Sequence, residues 1–154
     1  MKAFKKILVP VDFSPHSREA IRAAADLGAR YGSALTLLHV FQPVAYTLPE
    51  GYVLFSAQQL VDVDYQLEAA LANAKKDAES DGARGTVTAL LQGLPAAQIL
   101  DFAERDASDL IVMGTHGRTG IRHALIGSVA ERVLRRAPCP VLTVKAAQDA
   151  GAPA

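Results

Sequence analysis

Residues 114–128 combine glycines, arginines and a serine at a spacing that suits anion binding. Gly114 and Gly117 lie three positions apart, nine residues separate Gly117 from Gly127, and Ser128 follows directly. Glycines permit backbone conformations that other residues avoid and allow a ligand to approach the main chain closely. Exposed N–H groups that lead into the start of a helix attract phosphate or carboxylate groups, and the Ser128 hydroxyl adds a donor. The alternative is an ordinary surface loop in which Ser128 caps the next helix.

The charge around this segment also favours an anion. Five arginines and one glutamate lie between Gly114 and Arg136, whereas the whole chain balances 16 Lys and Arg against 16 Asp and Glu. We assign a phosphate role first to Arg118 and secondarily to Arg122. The arginines near position 136 instead suit the last turn of a helix, where cations complement the helix dipole. The balanced total argues against a protein that holds nucleic acid by bulk electrostatics.

Other candidate residues lie outside that segment. Asp12 follows the first apolar run, where a carboxylate can accept hydrogen bonds from ribose hydroxyls, help to hold a metal ion, or simply cap the next helix. We expect His39 to be a packed, hydrogen-bonded histidine, and His116 and His123 have no partner motif that predicts a metal site. Cys139 is the only cysteine, which excludes an intrachain disulfide and a cysteine-based zinc site and indicates a buried, inert thiol.

Several common catalytic and nucleotide-binding motifs are missing. The sequence contains no G-x-x-x-x-G-K-[ST] and no G-x-G-x-x-G after its first strand, which argues against a P-loop NTPase and an NAD-type dehydrogenase. It also lacks G-x-S-x-G, H-E-x-x-H and S-x-x-K, so no signature predicts a nucleophile with its base.

Five apolar segments alternate with helical segments and predict an α/β fold. Strands are predicted over residues 4–11, 34–41, 86–91, 109–113 and 140–144, and helices open at Pro15, near Leu60, at Pro95 and at Ser128. Continuous apolar strands that alternate with helices form a parallel sheet covered on both faces. Ligands of such sheets bind at the carboxyl ends of the strands, near the point where the strand order reverses. The informative ends here are residues 10–14, 39–41 and 113–114.

The remaining segments set the expected boundaries. We predict one domain over residues 1–146, a flexible tail over 147–154, and a long functional or mobile loop from Gln42 to about Ser56. The apolar runs are far shorter than the ~20 residues of a membrane span. The run at residues 7–11 is also shorter than the ~7–15 residues of a signal-peptide core. We therefore expect no membrane span. A single cysteine suits a reducing compartment, so we also expect a cytoplasmic location.

Over nearly its whole length the chain resembles the universal stress protein family. The similar segments are residues 9–14 (VPVDFS), 37–40 (LLHV), 109–114 (DLIVMG), 127–134 (GSVAERVL) and 137–142 (APCPVL). The spacing G-x2-G-x9-G-[ST] marks the ATP-binding branch of that family, and it is intact from Gly114 to Ser128.

This resemblance implies a fold and a ligand. The implied fold is a three-layer, Rossmann-like α/β fold of the adenine-nucleotide alpha-hydrolase type, with a five-stranded parallel sheet in the order 3-2-1-4-5. ATP would lie across the ends of the first, second and fourth strands, with Mg²⁺ or Mn²⁺ at the phosphates. Val40, with Pro10, Val11 and their neighbours, would line the adenine pocket. Asp12 would meet the ribose or phosphate side and is the candidate metal ligand. The implied ribose and phosphate contacts are Met113, Gly114, Gly117, Arg118, Gly127, Ser128 and Val129.

The resemblance also implies a homodimer through the last strand, Pro140–Val144, and an apolar edge strand does invite pairing. We expect a nucleotide-linked regulator of the stress response, in which ATP orders residues 114–126 and an unknown protein partner senses the result. Two alternatives stay open. One is a slow ATPase that uses Asp12 with a metal ion, since no P-loop lysine or clear base is present. The other is a nucleotide-free dimeric interaction module.

Overall fold

Strands and helices alternate along the part of the chain that the computed structural model describes, which comprises residues 4–42, 46–48, 51–53, 56–117 and 126–146. The elements are β1 (Lys6–Pro10), α1 (Pro15–Tyr31), β2 (Ala34–Phe41), β3 (Tyr46–Leu48), β4 (Gly51–Val53), α2 (Ala57–Ser80), β5 (Val87–Gln92), α3 (Pro95–Arg105), β6 (Leu110–Gly114), α4 (Ser128–Arg136) and β7 (Val141–Val144). Arg118, Arg122, His123 and the predicted tail over residues 147–154 lie outside the described residues.

Five of the strands form a parallel sheet in the order β5–β2–β1–β6–β7. Counted within this sheet, the order is 3-2-1-4-5, so the prediction is confirmed. The central strand is β1, where Leu8 pairs with Thr36 of β2 on one side and with Ile111 of β6 on the other. The chain moves outward from β1 in one direction and later returns to continue in the other. The reversal therefore lies between β1 and β6.

Apolar side chains fill both faces of the sheet. Ile7 and Val9 of β1 belong to the core cluster shared with α1 and α2, whereas Leu8 belongs to the cluster shared with α3 and α4. Leu8 and Val9 are each 0% exposed, although they point to opposite faces. The prediction that helices cover both faces is confirmed, because adjacent residues of one strand are both buried only in such a layered fold.

Two helices begin at side-chain caps. The Ser14 hydroxyl accepts a hydrogen bond from the Ser17 N–H and Pro15 opens α1, as predicted. Helix α2 begins at Ala57, three residues before the predicted start at Leu60. Ser56 and Gln59 form a reciprocal capping box, which satisfies N–H groups of the first turn and extends the helix toward its N-terminus.

The predicted loop from Gln42 to Ser56 contains a short hairpin. Strands β3 and β4 pair in antiparallel fashion, with Tyr46 opposite Val53 and Leu48 opposite Gly51. The prediction of a segment without regular structure is therefore wrong for these residues. Aromatic and β-branched residues on both strands favour pairing, but strands this short produce little periodicity in the sequence. None of the helices in the described ranges is long and apolar enough to cross a membrane.

Candidate functional site

An open cleft lies at the carboxyl edge of the sheet, where the strand order reverses. It has a volume of about 190 Å³ and is walled by the ends of β1, β2 and β6 and by the first turns of α3 and α4. Ten of the eleven site residues predicted from the sequence line this cleft; they are Pro10, Val11, Asp12, Val40, Met113, Gly114, Gly117, Gly127, Ser128 and Val129. The eleventh, Arg118, lies outside the described residues. The fold thus brings segments from both ends of the chain into one cavity, and the ligand contacts of these residues stay a prediction.

Sequence reasoning missed several residues of the cleft wall. Helix α3 contributes Pro95 and Ile99, and the other missed residues are Ser17, Leu38, Thr115, His116 and Ala130. The signal on α3 is its position, because this helix follows the strand next to β2 and its first turn therefore lies at the same edge of the sheet. The Ser17 side chain supports the turn after β1, since its hydroxyl accepts the Asp12 N–H at 3.3 Å.

The Asp12 carboxylate spans the gap between the first turn and the glycine segment. Its Oδ1 accepts the Ser14 N–H at 3.0 Å. Its Oδ2 lies 2.8 Å from the point that a Cβ on Gly117 would occupy. The helix cap itself is Ser14, so Asp12 does not cap α1 directly. One oxygen holds the turn, and the other lies against the glycine segment in the cleft.

The motif glycines are needed for close packing. A Cβ on Gly114 would lie 2.8 Å from His16 Cβ and 3.0 Å from the His16 carbonyl carbon. A Cβ on Gly127 would lie 3.3 Å from the Thr115 carbonyl oxygen. The positive-φ glycines of the described chain are Gly32, Gly82, Gly85 and Gly93. The prediction that the motif glycines supply conformations closed to other residues is therefore wrong, because their role in this structure is to let α1, Asp12 and the segment's own backbone approach one another.

The N-terminus of α4 opens into the cleft. Gly127 is the N-cap, and no side chain among the described residues makes the capping hydrogen bond. The alternative in which Ser128 is the helix cap is wrong, because Gly127 is the cap and Ser128 is the first helical residue. N–H groups in the first turn of a helix have no intrahelical acceptor, and they carry the positive end of the helix dipole. Ser128, Val129 and Ala130 all line the cleft, so this end of α4 can receive an anionic group.

Two histidines join the rim of the cleft to the end of β7. The rings of His16 and His116 lie 5.3 Å apart between centroids. The His16 Nδ1 accepts the Ala146 N–H at 2.9 Å, and the His116 Nδ1 lies 3.0 Å from Thr115 Oγ1. The Thr115 N–H donates to the Val144 carbonyl at 3.0 Å. The cleft rim and the last strand of the sheet are thus one hydrogen-bonded unit.

Charged groups are scarce in the cleft. Among the lining residues that the structure describes, Asp12 is the only Asp, Glu, Lys or Arg. No group of three or more His, Cys, Asp or Glu side chains in the described ranges is placed to hold a metal ion. A divalent cation would therefore depend on Asp12 together with oxygens of the ligand, which is a common arrangement for Mg²⁺ beside phosphates.

His39 and Cys139 behave as structural residues. His39 is buried, and its Nδ1 lies 2.7 Å from the Val11 carbonyl oxygen, which confirms the prediction of a packed, hydrogen-bonded histidine. Cys139 is only partly buried. Burial raises the pKa of the Cys139 thiol, and the nearby Asp109 carboxylate raises it further. The thiol is therefore a weaker nucleophile at neutral pH than a free cysteine.

Comparison with known proteins places these features in a family. The model of the universal stress protein family matches residues 3–145. A universal stress protein of Methanocaldococcus jannaschii is 40% identical over 144 residues, which cover 92% of this chain and 82% of the relative. The universal stress protein UspA from Lactobacillus plantarum superimposes with a TM-score of 0.79 at 27% identity, over 94% of this chain and 99% of that one.

Two further solved structures carry adenine nucleotides. One is a universal stress protein in complex with cAMP, with a TM-score of 0.74 at 24% identity over 95% of this chain and 100% of that one. The other is the Archaeoglobus fulgidus protein in complex with dAMP, with a TM-score of 0.66 at 23% identity over 94% of this chain and 100% of that one. At these identities the likeness shows the shared fold. The family match and the closer relative decide the assignment: the chain belongs to the universal stress protein family.

Proposed function

We propose that this protein binds ATP in the cleft and acts as a nucleotide-linked regulator of the stress response. The observation that carries the proposal is the convergence of ten residues, chosen from the sequence for nucleotide binding, on one cavity at the reversal of the sheet. Parallel α/β folds bind their ligands at this place. The complexes of two structural neighbours with cAMP and dAMP support an adenine nucleotide as the ligand.

The cleft offers separate surfaces to the parts of a nucleotide. Apolar side chains of Pro10, Val11 and Val40 suit the adenine ring, and we assign Met113 to the ribose and phosphate side. Gly117 and Ser128 offer backbone N–H groups and the Ser128 hydroxyl beside the uncapped start of α4, and these donors suit the phosphates. The Gly127 N–H is already donated to the Thr115 carbonyl oxygen at 2.7 Å. We assign Arg118 to the phosphates as well, on the basis of the motif alone.

Asp12 fits either the ribose or a metal ion. Its Oδ1 is engaged by the Ser14 N–H, so Oδ2 is the oxygen left for a ribose hydroxyl or for Mg²⁺ or Mn²⁺. The cation would neutralise phosphate charge when bound, and Asp12 would hold it from the protein side.

The regulator is proposed to be a cytoplasmic homodimer that pairs through residues 140–144. Strand β7 forms one edge of the sheet and pairs only with β6 in the described chain. Leu142 on this strand is 41% exposed, and an apolar edge of this kind favours pairing with a second copy. A protein partner would then respond to the occupied cleft.

The first test is direct. The protein is purified without added nucleotide and denatured, and any released nucleotide is identified by mass spectrometry, with calorimetric titration of ATP–Mg²⁺ alongside. We expect released ATP or micromolar binding. Ser128→Ala should weaken binding, whereas Ser80→Ala, at the far end of α2, should leave it unchanged. A folded protein that shows neither released nucleotide nor binding would contradict the proposal and favour the nucleotide-free interaction module.

A further inference from the structure

Phe13 has an unusual backbone conformation for an aromatic residue. Its φ is 64°, and in the described chain only Ala107 shares a positive φ among non-glycine residues. The left-handed region is unfavourable for residues with a bulky side chain. Such strain persists only where the surrounding structure imposes it, and it is found most often at ligand sites. Phe13 packs against the core beneath α1 and directly follows Asp12, which lines the cleft.

The ring of Phe13 packs against the ring of His39. The two ring centroids are 4.7 Å apart, and the ring planes are tilted by 39°. His39 itself is buried, and its Nδ1 lies 2.7 Å from the Val11 carbonyl oxygen. The Val11 N–H in turn donates to the Leu38 carbonyl at 2.8 Å. The His39 ring is therefore fixed on β2 by its hydrogen bond to Val11. Contact with this ring favours the conformation of Phe13 that is seen here.

The reversal at Phe13 orients the neighbouring carboxylate. It brings the Ser14 N–H to Asp12 Oδ1 at 3.0 Å, which closes a turn through the side chain of Asp12. With Oδ1 held, Oδ2 is directed toward Gly117 across the cleft. A different φ at Phe13 would move the Ser14 N–H relative to Asp12 Oδ1 and weaken the bond that fixes the carboxylate.

We propose that Phe13, held left-handed by the His39 ring, is a positioning residue that aims the Asp12 carboxylate at the ligand. The proposal rests on the function proposed above, because it assigns to Phe13 a role in nucleotide affinity that acts through Asp12. Two substitutions of Phe13 should therefore have different effects on nucleotide binding. Removal of the ring should harm binding if a Cβ remains, and removal of the Cβ as well should restore it, since glycine adopts positive φ without strain.

The test compares Phe13→Ala with Phe13→Gly by calorimetric titration of ATP–Mg²⁺. Phe13→Ala should weaken binding about tenfold, which corresponds to about 1.4 kcal/mol. Phe13→Gly should stay within about threefold of the original protein, because the turn forms without strain. The same pair in an Asp12→Ala background should show equal affinities, since no carboxylate is left to position. Equal affinities of the two Phe13 variants in the original background, or an unchanged difference in the Asp12→Ala background, would overturn the proposal.

A second measurement needs no ligand and separates the two proposals. Amide hydrogen exchange of Ser14 reports the bond to Asp12 Oδ1 directly. Exchange should accelerate in Phe13→Ala and stay slow in Phe13→Gly, while the amides of β1 remain protected in both. If Ser14 follows this pattern in a protein that does not bind ATP, the positioning of Asp12 stands and the nucleotide function fails. If Ser14 exchanges equally in both variants, the positioning role is refuted whatever the ligand.

Discussion

We expect Gly117→Ala to destabilise the protein when Asp12 is present and to stabilise it slightly when Asp12 is replaced by alanine. The added Cβ would lie 2.8 Å from Asp12 Oδ2, so the carboxylate must turn away. That movement breaks the bond from the Ser14 N–H to Oδ1. A hydrogen bond to a charged acceptor contributes about 1.5–3 kcal/mol. Replacing glycine by alanine at a compatible φ stabilises the folded state by about 0.4–1 kcal/mol, because the unfolded chain has less conformational entropy. The net expectation is a loss of about 1–2 kcal/mol in the free energy of unfolding.

In an Asp12→Ala background the obstacle is gone and only the favourable term remains. Gly117→Ala should then stabilise the protein by about 0.5 kcal/mol. Urea denaturation of the four proteins, fitted with a common m-value, gives the coupling between the two positions. The control is Gly127→Ala, whose Cβ would meet the Thr115 carbonyl oxygen at 3.3 Å and which should be indifferent to Asp12. Destabilisation by Gly117→Ala of equal size in both backgrounds would show that Asp12 Oδ2 is not what Gly117 accommodates.

Three further substitutions or reactions test other parts of the structure. Thr86 is buried, and its hydroxyl has no hydrogen-bond partner in the described chain, so Thr86→Val should raise the free energy of unfolding by about 1 kcal/mol in urea denaturation; a decrease would reveal a hidden partner. Gly32 ends α1 at φ 67° with no atom near its Cβ position, so Gly32→Ala should cost about 1–2 kcal/mol through backbone strain alone, and Gly32→Asn should cost less. Because burial and Asp109 raise the thiol pKa of Cys139, folding disfavours the thiolate. Alkylation by iodoacetamide at pH 7 should therefore be slower in the folded protein than in the urea-unfolded chain, and equal rates would contradict the pKa shift.

Strands were predictable where local signals and burial agree. The apolar run from Ala34 to Phe41 matches β2 residue for residue, because it is covered on both faces and follows the glycine that ends α1. The start of α2 was misplaced although its signal is present, since Ser56 and Gln59 form the S-x-x-Q pattern of a capping box. The capping box consists of two hydrogen bonds between polar side chains and the backbone, so a search for apolar periodicity does not detect it.

The cleft was predictable to the extent that motifs mark strand ends. Asp12, Gly117 and Ser128 could be grouped because the carboxyl ends of parallel strands share one edge of the sheet. The contribution of α3 could be predicted only from the strand order, since Pro95 and Ile99 carry no motif and reach the cleft through the position of β5 beside β2. The positive φ of Phe13 could not be predicted from the sequence, because phenylalanine does not favour this conformation and the ring that it contacts, His39, is distant in sequence.

The hydrogen bond from Thr115 to Val144 has a thermodynamic consequence. Thr115 is at once a wall of the cleft and the residue that anchors the last carbonyl of β7. A ligand that displaces Thr115 must therefore either lengthen this bond or move the end of β7 together with Thr115. Suppose that a ligand and a partner that pairs along β7 both favour the same position of this strand. Each must then raise the binding affinity of the other by the same factor. A ligand in the cleft would then change the affinity of the sheet edge for a partner, and a partner at the edge would equally change the affinity of the cleft for the ligand.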